Sequence, residues 1–176
     1  MLFRSINQVA QIVQNIRDLF RNQPNFYGAL SSASTPMSTS DYANRILADK
    51  AKLFPTSLVK NGYKNMFGGN IYLYSTGGVA SNDNKAFILG FVNIPQEACI
   101  EIVTRDWQSS LGLVGIKVRG SVTSGYGLGA TFIGKCTTEY EQGAARFCAK
   151  DMPVTLEQAT AACDLEKANI IYWKFY

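Results

Sequence analysis

The 176-residue sequence contains no histidine, is poor in charge at 17% Asp, Glu, Lys and Arg, and lacks any apolar run approaching the roughly 20 residues that cross a bilayer. Each shortage removes a class of function. Without histidine, Ser-His and Cys-His nucleophilic catalysis is excluded, and a zinc site would need cysteine or carboxylate ligands alone. Cys99, Cys136, Cys148 and Cys163 include no C-x-x-C knuckle, so no metal and no other cofactor is expected. No signal-peptide pattern stands at Met1, and the chain as given is expected to be soluble. The net charge of +4 is scattered, from Lys50 and Lys52 through Arg119 and Lys135 to Lys174. No arginine-rich stripe interleaved with aromatics exists, so nucleic acid is not an expected partner.

What remains is a hydrophobic content of 47% over a length that supports one compact domain, residues 1–176. Four widely spaced cysteines fit two disulfides in an oxidising compartment, with three possible connectivities, or four reduced thiols in a core. The chain is organised around Lys85 to Arg105, KAFILGFVNIPQEACIEIVTR. Its first half is a short, nearly continuous apolar run behind the polar turn at Ser81 to Asn84, which predicts a strand covered on both faces. A helix is predicted directly after it. Asn93 is placed as its cap, Pro95 in its first turn and Glu97 at the positive end of the dipole. Cys99 then falls in the core layer.

In chain order, residues 1–22 hold an amphipathic helix running from Ser5. Ile6, Val9, Val13, Ile16 and Phe20 recur at spacings of three and four, with Ile12 and Leu19 widening the stripe. Gln8, Gln11, Asn15, Asp18 and Asn22 form the opposite face, rich in amides and poor in charge. Such a face is either simply solvated or a surface that meets copies of itself. Residues 23–69 read as loop and small helix: a Ser-, Gly- and Pro-rich loop from Pro24, then a helix from Asp41 to about Leu53, capped by Ser40 and ended by Pro55. Tyr42, Ile46 and Leu47 are its expected apolar side. Residues 70–176 hold the sheet. Strands are predicted at Asn70 to Ser75, Lys85 to Val92, Leu113 to Val118 and Asn169 to Tyr176, the last too apolar to stand as an open edge. Gly120 to Gly134 lacks any phosphate-loop spacing and reads as loop or irregular edge strand. Thr155 and Gln158 have capping-box spacing at the start of a short helix that leads to Cys163.

The order of these elements, with Lys85-Ala-Phe, Gln96-Glu-Ala-Cys99 and a late helical Cys163 before a C-terminal strand, resembles the globular domain of a type IVb pilin, of the toxin-coregulated and PilS kinds. The resemblance implies an α+β fold with a long N-terminal helix packed on a mostly antiparallel sheet and a disulfide-stapled C-terminal region. It also implies the pairings Cys99 with Cys163 and Cys136 with Cys148. By the chain-entropy estimate the first staple is worth about 4 kcal/mol and the second about 3 kcal/mol. The implied role is structural and not enzymatic: polymerisation with copies of itself into a pilus for adhesion, aggregation or conjugation. Ile6, Val9, Val13, Ile16 and Phe20 would pack on the sheet, and Gln8, Gln11 and Asn15 would face neighbouring subunits. Partners would include the pilus assembly machinery and a host receptor or recipient cell surface. The subunit would be held in the inner membrane before assembly and lie outside the cell after it. A pilin begins with a leader and an apolar helix half bearing a glutamate. This chain shows neither, so the helix at Ser5 is expected to continue a missing membrane-spanning half, with Met1 to Arg4 foreign to the natural sequence.

Three other readings compete. One is a minor pilin at a filament tip. Another is a secreted receptor- or glycan-binding module stacking sugars on Tyr63, Trp107, Tyr126 or Tyr140. The last is a secreted hydrolase using two of Asp83, Glu97, Glu101, Asp106, Glu139, Glu141, Asp151 and Glu157, although no pair is brought together by sequence.

Overall fold

The computed structural model describes residues 2–24, 37–76, 86–120, 147–149, 153–163 and 168–175. Helix α1 spans Leu2–Phe20, beginning before the predicted Ser5 and ending at a turn where the Gln23 amide donates to the Phe20 carbonyl. Its apolar stripe is buried at Val9, Ile12, Val13, Ile16 and Phe20, while Ile6 is half-buried at the edge of the same core. Leu19, expected to widen the stripe, is exposed instead. It falls on the outer side of the helix, one position from the buried Phe20.

Six strands among the described residues form one antiparallel sheet: β1 (Met37–Ser38), β2 (Ile71–Thr76), β3 (Ala86–Ile94), β4 (Leu113–Gly120), β5 (Phe147–Ala149) and β6 (Asn169–Phe175). The order is β1-β2-β3-β6-β4-β5, so the C-terminal strand sits inside the sheet between β3 and β4. Alternation along paired strands sorts side chains onto two faces. One face sets Leu73, Leu89, Trp173 and Ile116 in a cross-strand row, beside Ile71, Phe91, Ile171 and Val118, and shares the core with α1. Phe91 and Trp107 each meet the Trp173 ring edge to face, at centroid distances of 5.4 and 5.7 Å. The other face carries Tyr72, Tyr74, Ile88 and Tyr172 as a second buried cluster. There Gly90 stands between Tyr72 and Tyr172 in register, and a Cβ on it would lie 2.7 Å from the Tyr172 ring. This two-sided burial is why β3 reads as a nearly unbroken apolar run.

Between α1 and the sheet edge lie α2 (Tyr42–Lys50) and α3 (Thr56–Lys60). The cap of α2 is Asp41, whose carboxylate accepts from the Ala43 amide at 2.8 Å, not Ser40. Pro55 does not merely end this region, because it is the N-cap of α3. Tyr42, Ile46 and Leu47 are exposed at 73%, 40% and 49%, which corrects their assignment to the apolar inner side. Ala48, Leu53, Phe54 and Leu58 fill that place. Asn65 is the polar hub of the following loop: its Oδ1 accepts from the Phe67 and Gly69 amides, and its Nδ2 donates to the Val92 carbonyl at 2.7 Å. The loop is thereby pressed onto β3 so closely that a Cβ at Gly69 would fall 1.8 Å from the Val92 oxygen.

The strand-to-helix corner departs from expectation at Asn93. It does not cap the helix. It adopts φ +66° inside the last turn of β3, where the register with β6 shifts between Phe91 and Ile94, and its Nδ2 donates to the Phe67 carbonyl. Pro95 is the N-cap of α4 (Gln96–Val103), and α5 (Trp107–Leu111) follows. Thr155 and Gln158 form the predicted capping box of α6 (Leu156–Ala162). Cys99 on α4 is bonded to Cys163 at the end of α6, across a sequence separation of 64. Gln96 Nε2 donates to the Cys163 carbonyl at 3.1 Å, and the buried Asn169 donates to the Ile94 carbonyl at 3.2 Å. Cys136 and its expected bridge to Cys148 lie outside the described residues.

Two stability predictions follow from these contacts. Gly69→Ala must displace backbone, and overpacking of this kind costs about 1–3 kcal/mol or more; denaturant unfolding is expected to show at least the upper part of that range. Reduction of the Cys99–Cys163 bond is expected to cost up to about 4 kcal/mol. Hydrogen exchange on the reduced protein should show α6 and β6 loosening before α1, β2 and β3, and uniform loss would defeat the staple argument.

Candidate interaction surface

The outer side of α1 is where the sequence places its amide-rich face, and the structure divides that face in two. Toward the C-terminal end the amides and charges are consumed by the chain itself. Gln11 Nε2 donates to Asn15 Oδ1 at 2.9 Å, and Asn15 Nδ2 donates to the Leu53 carbonyl at 3.2 Å, so Asn15 fastens α1 to the segment between α2 and α3. Gln14 donates to Asp18, which also pairs with Arg21. Arg17 donates to the Leu111 carbonyl at 2.7 Å. Burial of its guanidinium lowers its pKa from the usual arginine range.

Toward the N-terminal end, Gln8 departs from the expected solvent face. It is only 4% exposed, although it belongs to the lining of a cleft that α1 shares with α3. Its Oε1 is buried with no hydrogen-bond partner among the described residues, and so is the Ser5 hydroxyl one turn earlier. Gln8 lines a cleft of about 560 Å³ between α1 and α3, together with Arg4, Asn7, Gln11, Lys60 and Asn61. Of the three amides expected to face neighbouring subunits, only Gln11 is exposed.

A second feature of the surface is apolar. Tyr42 and Ile46 are one turn apart on α2, and Leu47 follows. All three are exposed, as are Phe3 on α1 and Leu156 on α6. Tyr63 sits below α2 with φ +61°; its hydroxyl donates to Asp49, and the Arg45 guanidinium lies 5.8 Å from the ring centroid.

The chemistry proposed for catalysis or sugar stacking is not assembled among the described residues. Glu97, Glu101, Asp106 and Glu157 are exposed; Asp106 is bonded to Ser109 of α5, and Glu101 lies 3.8 Å from Arg105. No cluster of three or more metal-ligating side chains occurs among the described residues. Asp83, Glu139, Glu141, Asp151, Tyr126 and Tyr140 lie outside them. Trp107, offered as a stacking platform, is buried against Trp173 with its indole N–H on the Ile102 carbonyl at 2.8 Å. Tyr63 is half-buried and engaged by Asp49. The signal that sequence reading missed is Arg4, Asn7, Lys60 and Asn61, which gather around Gln8 only once α3 is laid beside α1.

Comparison with known proteins agrees with this architecture. A family model described as PilS N terminal matches residues 4–175. The structure of TcpA, a type IV pilin from Vibrio cholerae El Tor biotype, superposes with a TM-score of 0.58 at 15% identity, covering 98% of this chain and 99% of that one. A type IV b pilin from Salmonella typhi gives a TM-score of 0.49 at 17% identity, over 94% of this chain and 93% of that one. No curated protein matches the chain in sequence.

The tyrosines generate a pH prediction. The hydrogen bond to Asp49 raises the Tyr63 phenol above its ordinary range, and burial, aided by Tyr172, pushes Tyr74 far higher. A raised phenol favours its neutral form in the fold, so this stability is complete below the ordinary tyrosine pKa of about 10 and is lost as pH rises above it. Absorbance titration near the phenolate band should show tyrosines that ionise only on alkaline unfolding. Tyr63→Phe should flatten the decline of denaturant stability above about pH 10.

Proposed function

The chain belongs to the PilS family, matched over residues 4–175, and from that membership we propose that it is a structural subunit which polymerises into a type IVb pilus on a bacterial surface. The observation that carries this reading is the family match lying on the pilin architecture, with α1 laid along an antiparallel sheet whose C-terminal strand is internal. Within one subunit the apolar stripe of α1 is used up against the sheet, so contacts between copies must come from other surfaces. Exposed apolar side chains on α2 support such contacts, since burying Tyr42, Ile46 and Leu47 against a neighbour would remove them from water. The proposed role is structural rather than catalytic: among the described carboxylates Asp49 is half-buried and held by the Tyr63 hydroxyl, and the others are exposed.

No helix among the described residues is long and apolar enough to cross a membrane. The proposed subunit is held at the inner membrane before assembly and handed to a pilus assembly machinery that places it outside the cell. Adhesion, aggregation or conjugation would be the use of the finished filament.

Electron microscopy of the source bacterium tests this directly. An in-frame deletion of the gene is expected to abolish the filaments, and the chain should make up nearly all of their mass. Filaments that persist undiminished without it would refute the subunit role, and a trace presence would make it a tip component. Ile46→Lys, at an exposed position, is expected to change folding stability by no more than about 0.5 kcal/mol while reducing filament number.

A further inference from the structure

The sequence contains a single Asn-Gly pair, Asn61-Gly62, and both residues are exposed. The pair closes α3 in the manner of a helix that ends on a left-handed residue: the Gly62 amide donates to the Val59 carbonyl at 3.0 Å and the Tyr63 amide to the Leu58 carbonyl at 3.0 Å. Each member of the pair answers a separate need of the fold. Gly62 stands at φ +67°, a conformation that disfavours an L side chain even though a Cβ there would meet nothing. Asn61 is the C-cap, and its Nδ2 donates to the Lys64 carbonyl at 3.0 Å and to the Asn65 carbonyl at 3.2 Å.

The same pair is chemically labile. A backbone amide nitrogen that reaches the carboxamide carbon of the preceding asparagine closes a cyclic imide, and glycine, with no Cβ to obstruct the approach, favours this most. The bond from the Gly62 nitrogen to Asn61 Cγ forms, the Cγ–Nδ2 bond breaks, and ammonia leaves with the amide proton; water then opens the ring to aspartate or isoaspartate. In the folded chain each part of that reaction is held off. With Asn61 at ψ 19° the Gly62 nitrogen is turned far from the Asn61 side chain. Its N–H is committed to Val59, and the nitrogen that would leave is held by two carbonyls.

Once converted, the turn cannot be rebuilt as it was. An oxygen replaces Nδ2, so the Lys64 and Asn65 carbonyls meet an acceptor where they had a donor. Isoaspartate also inserts a methylene into the backbone. The effect reaches β3, because Asn65 is the residue whose side chain fastens this loop to the Val92 carbonyl. We propose that Asn61-Gly62 is a covalent modification site, a deamidation site that the fold holds in check: opening of the α3 terminus releases it, the imide forms, and the acid that results marks the chain permanently as one whose 61–69 loop no longer locks. The site belongs to one copy of the chain and does not rest on its polymerising.

Incubation of the purified 176-residue chain at mildly alkaline pH, folded and in urea, followed by peptide mapping that resolves aspartate from isoaspartate, tests the site. Conversion at Asn61 is expected in both, slower in the folded chain by more than about tenfold, as the two or three hydrogen bonds that must open imply. Asn65→Ala should move the folded rate toward the rate in urea, and Asn61→Gln, whose longer side chain would have to close a larger ring, should suppress conversion. Asn61→Asp should lower the folded-to-unfolded ratio by about tenfold or more and speed amide exchange over residues 61–69, as in the aged chain. The urea comparison and Asn61→Asp decide the matter whether or not Asn65→Ala folds. Equal rates in the folded chain and in urea, no conversion at Asn61 in urea, or Asn61→Asp with unchanged stability and exchange would each overturn the assignment.

Discussion

The structure depends on one act of pairing: the last seven described residues of the chain, β6, are inserted between β3 and β4. Everything that makes the core continuous runs through this strand. Trp173 stacks edge to face with Phe91 from β3 and with Trp107 from α5, and Phe175 lies against Phe87 at a centroid distance of 5.6 Å. On the reverse side Tyr172 packs into the space that Gly90 leaves open. Aromatic residues buried to this degree contribute about 3–5 kcal/mol each when judged by truncation, more than any surface contact on the molecule. A strand that is central in the sheet but terminal in sequence can pair only after the preceding elements have come together, which gives the fold a high share of non-local contacts.

That constraint explains the placing of the disulfide. Cys99 and Cys163 lie one on the helix that follows β3 and one on the helix that precedes β6. The bond holds the two approaches to the same strand pair, and the hydrogen bonds from Gln96 to Cys163 and from Asn169 to Ile94 repeat the link without covalency. Its stabilisation acts chiefly on the unfolded chain, by shortening the loop that must close before β6 can dock. Seen this way the staple and the strand insertion are a single solution to one entropic problem.

What was legible in the sequence follows the same division. Period and burial are local signals, so α1, β2, β3, β4, β6 and the Thr155–Gln158 cap could be read directly. Asn93 could not, because its preference for a cap is indistinguishable in sequence from its tolerance of positive φ, and only the bulge against β6 decides between them. The α2 face was misread for a related reason: Tyr42, Ile46 and Leu47 have helical spacing, but the helix is short and is held by Ala48, with Leu53, Phe54 and Leu58 doing the burying beyond it. Periodicity says which residues share a face; it does not say whether that face looks inward. The two-residue β1 and the helix after Pro55 were too short to leave a pattern at all.

The surface was harder to read than the core, and Gln8 shows why. On a helical wheel it belongs with Gln11 and Asn15 on a polar face, and in an isolated helix all three would be wet. Gln8 is buried, engagement of the Leu53 carbonyl turns Asn15 inward, and Gln11 stays exposed. Three like residues thus acquire three roles from their surroundings. A face poor in charge makes this possible, because an amide can be buried, shared or solvated without the desolvation cost that an ion would incur. The amide-rich helix is then best understood as a surface left adaptable, whose uses are assigned by whatever packs against it, first the rest of its own chain and then another copy.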